Sequence, residues 1–253
     1  MAPVGEYRLS VVIPAYNEAA RIVEPLRRIE RHLRARGLQS ELIVVDDGSS
    51  DDTAGVVRRV GEELAIPVRV IPLECNRGKG HAVKVGMTSS RGQAVLMTDA
   101  DLSTPIEELD KLLPLLRNGT QVVIGSRKMA GAVIEVRQPK LREMMGRVFT
   151  QLTRLFVVQV SDVTCGFKLF SGEAAHAIFS RVTLDDWSFD AEALFLARRL
   201  GFRIREVPVL WRDAAGTKVH RGRDAVWAAV GLLRIMSNSA RGRYGVPRPG
   251  SGA

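Results

Sequence analysis

The chain has 253 residues, 45% of them hydrophobic, and a formal charge of +9 from 37 Lys and Arg against 28 Asp and Glu. That size and apolar content suffice for one α/β domain with a sizeable core, and two cysteines without metal-ligand spacing exclude a disulfide framework or a cysteine metal site. A leader of charged then apolar residues is absent, as is a run of about 18 apolar residues able to cross a bilayer, so we expect a protein kept on the cytosolic side, with structural buried thiols at Cys75 and Cys165 and a polyanionic or phosphate-bearing partner for its charge.

In chain order, short β-branched runs alternate with longer helical patterns, which predicts successive βαβ units and a mainly parallel, Rossmann-like sheet flanked by helices. Strands are predicted over Leu9–Ile13, Leu42–Val45, Val68–Ile71, Ala94–Met97 and Val122–Ile124. Between them, helices are predicted over Glu18–Arg36, Asp51–Glu63, Gly80–Ser89 and Pro105–Arg117, with Asp51 and Thr104 as caps. After Gly125 comes a long amphipathic helix over Lys140–Val158, then short strands near Thr164–Phe170 and Glu206–Leu210 flanking a helix over Phe189–Leu200. An apolar run over Ala225–Met236, too short to span a membrane, reads as a packed terminal helix or a peripheral anchor with Trp227 at the interface. The Gly-, Pro- and Arg-rich tail, 241–253, reads as disordered.

Open parallel sheets bind ligands beyond the carboxyl ends of their strands. Strand four ends in Asp99-Ala100-Asp101, whose alternation sends two carboxylates to one side of the sheet edge, a donor set that suits Mg²⁺ or Mn²⁺ together with substrate phosphates. A lone Asp-x-Asp is as readily a solvated loop, so its neighbours matter. Strand two ends in Asp46-Asp47-Gly48-Ser49-Ser50-Asp51, more acids than one helix cap explains, and strand one ends in Pro14-Ala15-Tyr16-Asn17-Glu18, an aromatic ring and an acid able to meet a base. Neither a dinucleotide fingerprint nor a Walker-type Gly-Lys-Ser/Thr is present.

Taken with Asn76-Arg77-Gly78-Lys79-Gly80, these strand ends resemble family 2 of the GT-A glycosyltransferases. The resemblance implies an α/β GT-A fold with a C-terminal amphipathic helical extension, a nucleotide-binding half over about 8–127 and an acceptor-binding half over about 128–240. It further implies that Pro14, Ala15, Tyr16, Glu18, Asp46 and Asp47 cradle the nucleotide, that Gly78, Lys79, Gly80 and Ala100 approach the donor, and that Asp99 and Asp101 hold the metal. The second half, with Gly125-Ser126-Arg127, Ser161 to Phe170 and Trp187-Ser188-Phe189-Asp190-Ala191-Glu192, is similar to polyprenyl-phosphate glycosyltransferases, the dolichyl-phosphate glucosyltransferases above all and the mannose synthases next.

That likeness implies an inverting enzyme with a nucleotide diphosphate sugar as donor, UDP-glucose first and GDP-mannose second, a polyprenyl phosphate acceptor, and a peripheral place at the cytosolic membrane face. A phosphate monoester is already largely ionised near neutrality, so it needs cations more than a base. Arg127, Arg142 and Arg147 are the candidates to bind it, guanidinium geometry suiting oxyanions. The stripe Met144, Met145, Val148, Phe149, Leu152, Leu155 and Phe156 reads equally as core and as a groove for the prenyl chain. Asp190 and Glu192, two apart, point away from each other on a helix and make a poor acid/base pair; Glu192 stands where related transferases with hydroxyl acceptors carry a base, a need that a phosphate acceptor weakens, and a helix cap at Asp190 is as plausible. The rival readings are a transferase with a soluble acceptor and a non-enzymatic nucleotide-sugar- or nucleic-acid-binding protein; the chain lacks the aromatic-basic interleaving that RNA binding would favour.

Overall fold

The computed structural model describes residues 7–117, 119–136, 151, 153, 159–212 and 223–246. Its elements are β1 (Tyr7–Ala15), α1 (Val23–Ala35), β2 (Ser40–Asp46), α2 (Thr53–Glu63), β3 (Val68–Pro72), α3 (Lys79–Ser89), β4 (Gly92–Met97), a 3₁₀ turn (Ile106–Glu108), α4 (Leu109–Arg117), β5 (Val122–Ser126), β6 (Val133–Val136), β7 (Lys168–Ser171), α5 (Gly172–Phe179), α6 (Phe189–Arg199), β8 (Ile204–Pro208), β9 (Leu210–Arg212) and α7 (Arg223–Ala240). One seven-stranded sheet runs β3-β2-β1-β4-β7-β5-β8, and β6 pairs with β9 in a small second sheet. In the large sheet β7 alone is antiparallel to its neighbours, β4 and β5.

The β-branched runs make buried central strands because both faces are covered. Leu9, Val11 and Ile13 of β1, Leu42 and Val44 of β2 and Leu96 of β4 face the layer of α1, α2 and α4, whereas Val12, Ile43, Val45, Val95 and Met97 face α3, α5, α6 and α7. Each such side chain stabilises the fold by about 1.5–3 kcal/mol, so slipping one strand by a residue would forfeit several at once. The register places Ala15 opposite Asp46 and Asp46 opposite Pro72, which aligns the carboxyl tips of β1, β2 and β3.

The predicted strands and helices of the first half are all present, with adjusted ends. α1 begins at Val23 rather than Glu18, because residues 16–22 are drawn into the loop after β2: the Asn17 amide donates to Ser49 Oγ at 2.8 Å and the Glu18 amide to Thr53 Oγ1 at 2.8 Å. The α2 N-cap is Asp52 rather than Asp51, which lies one residue earlier and accepts from the Thr53 amide at 3.0 Å. Thr104 does not cap the following helix; its hydroxyl lies against Cys165 Sγ at 4.0 Å, and the helix starts as a 3₁₀ turn behind Pro105.

Three elements escaped the sequence reading: α5, β6 and the separation of β9 from β8. Cys165 is buried, but Cys75 is exposed, since it belongs to the turn after β3 rather than to a packed element. The tail departs from its reading as well, because residues 241–244 continue in turns and Tyr244 is 3% exposed. The helix predicted over 140–158, with Arg142 and Arg147, lies outside the described residues apart from 151 and 153.

Candidate active site

Strand tips deliver the acids. The Thr98 amide donates to Val12 O at 3.0 Å and the Asp47 amide to Ala15 O at 2.8 Å, so β4 and β2 both stay hydrogen-bonded to β1 up to the acidic segments. Pro14 is half-buried and Ala15 buried beneath the edge, while Tyr16 stands 36% exposed above it. Gly48 turns the β2–α2 loop at φ 66°, a conformation that L side chains rarely adopt.

The acids take distinct parts. Asp46 accepts from the Ser49 amide at 3.1 Å and shapes its own loop. Asp47 accepts from the Arg77 amide at 3.1 Å and the Gly78 amide at 2.8 Å, so it organises the glycine turn; burial raises its carboxyl above the usual range against those two bonds. Glu18 is held by Arg21, whose Nη2 donates to it at 2.7 Å. That hydrogen bond and the charges of Glu18 and Asp101 keep the Arg21 guanidinium above its ordinary value, with burial opposing.

Asp99 and Asp101 flank buried Ala100 at the tip of β4. Asp99 accepts from Lys79 Nζ at 2.5 Å, and Asp101 Oδ1 accepts from the Ser103 amide and hydroxyl, each at 2.9 Å. Burial acts to discharge the Lys79 ammonium, and Asp99, Asp190 and Asp101 outweigh it, holding its pKa above that of an ordinary lysine. The lysine also lies 5.1 Å from the ring centre of Trp187, an indole that is 51% exposed. Gly166 is the space-maker: a Cβ there would stand 2.0 Å from Asp99 Oδ2, so only glycine admits the carboxylate. Two carboxylates on one tip, one of them seated in a hollow that a single methyl group would fill, fit a small divalent cation that completes its shell with phosphate and water oxygens.

Arg127, just past β5, is engaged in a way that sequence could not announce. Its Nε and Nη2 clasp Asp162 at 2.6 and 2.8 Å, its amide reaches the same carboxylate at 3.0 Å, Nη2 also meets Thr164 Oγ1 at 2.9 Å, and Trp211 lies 5.5 Å from the guanidinium. Asp162 is buried; desolvation alone would raise its pKa, but Arg127 holds it well below the usual carboxylate range. Residues 162–166 thus run from the Arg127 clasp to the Asp99 hollow.

The acids of α6 are not a base and a cap. Asp190 is buried against Lys168 Nζ at 2.5 Å, burial pushing its carboxyl up against the pull of that lysine. Glu192, fully buried, accepts from the Thr183 amide at 2.9 Å, the Leu184 amide at 2.8 Å, the Thr183 hydroxyl at 2.6 Å and the Tyr244 hydroxyl at 2.7 Å.

The mainly parallel α/β sheet carries its acids at the carboxyl edge, and the chain belongs to glycosyl transferase family 2, whose profile it matches over residues 10–179. It is a glycosyltransferase with the GT-A fold. Among curated relatives, it is 33% identical over 245 residues to the dolichyl-phosphate beta-glucosyltransferase of Dictyostelium discoideum, covering 92% of this chain and 75% of that one. It is 36% identical over 225 residues to the dolichyl-phosphate beta-glucosyltransferase of Homo sapiens, covering 84% and 69%. Among solved structures, glucosyl-3-phosphoglycerate synthase from Mycobacterium tuberculosis in complex with UDP superposes with a TM-score of 0.68 at 24% identity, covering 98% of this chain and 84% of that one. The same enzyme with Mn²⁺, UDP-glucose and phosphoglyceric acid gives a TM-score of 0.66 at 24% identity, covering 98% and 83%.

Proposed function

We propose that this protein transfers a hexose, glucose before mannose, from a nucleotide diphosphate sugar, UDP-glucose before GDP-mannose, to the phosphate of a polyprenyl phosphate with inversion. The relatives named above support the lipid acceptor, and the neighbour crystallised with Mn²⁺ and UDP-glucose supports the donor class. The observation that carries the reading is the state of Glu192: the carboxylate best placed by sequence to be a base is sealed behind four donors, which suits an acceptor that arrives already ionised.

In this reading Asp99 and Asp101 would hold Mg²⁺ or Mn²⁺, which supplies positive charge to a departing diphosphate when bound. The chain's own groups do the rest. Pro14, Ala15, Tyr16 and the β2 tip with Asp46 frame the nucleoside; Gly78, Gly80 and Ala100 keep the backbone close to the donor, and Lys79 brings a fixed cation to its phosphates. Arg127, held rigid by Asp162, presents its remaining edge to the acceptor phosphate, with Arg142 and Arg147, outside the described residues, as its expected partners.

The test is initial-rate assay of purified protein with UDP-glucose and GDP-mannose, Mg²⁺ or Mn²⁺, and a short polyprenyl phosphate, the prenyl alcohol, or 3-phosphoglycerate as acceptor. Radiolabel should enter the lipid phosphate alone, and transfer to 3-phosphoglycerate with none to the lipid would overturn the acceptor assignment.

A lipid acceptor calls for contact with its bilayer. Among the described residues no helix is long and apolar enough to cross a membrane. On α7, however, Val230, Leu233 and Met236 are 36%, 67% and 43% exposed at near-helical spacing, followed by exposed Arg241 and Arg243. Leu233→Glu should therefore lower cosedimentation with vesicles rich in phosphatidylserine several-fold while rates on a detergent-dispersed short-chain acceptor stay unchanged; equal cosedimentation would refute a membrane role for this face.

A further inference from the structure

Between α5 and α6 the segment Thr183–Ser188 packs against the Gly78–Gly80 turn. On its inner side Glu192 binds the Thr183 and Leu184 amides and the Thr183 hydroxyl. On its outer side Asp185 O accepts from the Gly80 amide at 2.8 Å, and the Asp185 carboxylate pairs with Arg77 Nη2 at 3.0 Å and lies 3.5 Å from His81 Nδ1. Leu184 O and Asp185 O press directly on the glycine turn: a Cβ at Gly80 would stand 2.5 Å from the former, and one at Gly78 2.5 Å from the latter. Trp187, on the same segment, lies over Lys79. Asp186 accepts from the Ser188 amide at 2.8 Å and pairs with Arg234 of α7 at 3.1 Å.

Segment and turn thus form two facing layers, one carrying Lys79 and the other rooted in a single buried carboxylate. The root reaches further, because Tyr244 donates to Glu192 while its ring packs 6.0 Å from that of Phe195, and Asn238 donates to the Thr183 hydroxyl at 3.0 Å. Burying a carboxylate is costly unless its lone pairs are filled, and here four donors fill them. Glu192 itself is fully buried behind those donors, so it acts only through the groups it holds. We propose that Glu192 is a positioning residue for donor binding: through Thr183–Ser188 it fixes the Gly78–Gly80 turn and so aims the Lys79 ammonium. The inference rests on the reading of Lys79 as a donor-phosphate group.

Glu192→Met keeps the volume and removes every acceptor, whereas Glu192→Gln keeps an oxygen for the two amides and lets the Thr183 and Tyr244 hydroxyls turn to accept. By calorimetry with Mn²⁺, Glu192→Met should weaken UDP binding about tenfold, the scale of one charge-assisted hydrogen bond, raise KM for the donor more than it lowers kcat, and be restored towards wild type in Glu192→Gln. Tyr244→Phe, which loses one bond and keeps the ring, should weaken UDP binding by a smaller factor and serves if Glu192→Met fails to fold.

A folded Glu192→Met, or failing that Tyr244→Phe, with UDP affinity equal to wild type would overturn the proposal, since a merely structural carboxylate would change melting temperature alone. If wild type binds neither UDP nor GDP, the donor reading falls instead, and positioning is then judged by hydrogen exchange at the Gly80 amide: faster exchange in the variant upholds it and equal exchange sinks it.

Discussion

Asp99→Asn should cut sugar transfer about 10²- to 10³-fold, the range seen when one fixed electrostatic contact to developing charge is removed. The carboxylate sits at the tip of β4, 2.5 Å from Lys79, and an amide of the same shape keeps the hydrogen bond while discarding the charge. Its side chain is 34% exposed, and Asp190 and Asp101 still offset the Lys79 charge, so circular dichroism should show an intact fold that melts within a few degrees of wild type. Gly166→Ala supplies an independent route to the same deficit, because the added methyl group would occupy the place of Asp99 Oδ2. Rates at saturating donor and Mn²⁺ decide the matter: more than a tenth of wild-type turnover in Asp99→Asn would remove this carboxylate from the chemistry.

The second large effect lies at the Arg127 clasp. Asp162 is wholly buried, and taking away one partner of a buried ion pair leaves the other uncompensated, so Asp162→Ala should cost about 3–5 kcal/mol in urea unfolding and depress transfer through a misdirected Arg127. The linkage to pH has a definite sign. Burial raises the Asp162 carboxyl and Arg127 lowers it by more, leaving the folded value below the unfolded one. Its stabilisation is therefore full above the ordinary carboxyl value of about 3.9 and drains away as pH falls through the folded value. Asp162→Asn should flatten that part of the acid limb relative to wild type. An unchanged limb, or loss of under about 1 kcal/mol in Asp162→Ala, would mean the clasp stabilises the fold no more than an exposed ion pair does.

How much of this was readable beforehand depends on range. Strands such as Leu42–Val45 were legible because a fully covered parallel strand demands an unbroken apolar run, and the acids at their tips followed from where such strands end. Lys168 was not legible as a buried partner of Asp190, nor Asp162 as the clasp of Arg127, because pairings 22 and 35 residues apart leave no local periodicity. Glu192 was visible as an acid near the site, yet its meaning lay in Tyr244, 52 residues on, in a stretch whose composition suggested disorder. α5 was missed because a helix of eight residues, rich in alanine, carries too short a pattern to stand out.

The antiparallel β7 has an architectural corollary. It lies between β4, which leads to the two carboxylates, and β5, which leads to Arg127, and those two strands do not pair with each other. A fragment stopping after Arg127 would lack the bridge: two apolar edges would be left bare and prone to sticking to other chains. The chain before Arg127 and the chain after it are therefore interlocked by a returning thread, so neither evolution nor a protein engineer can exchange one for a foreign module at that seam without supplying a matching strand.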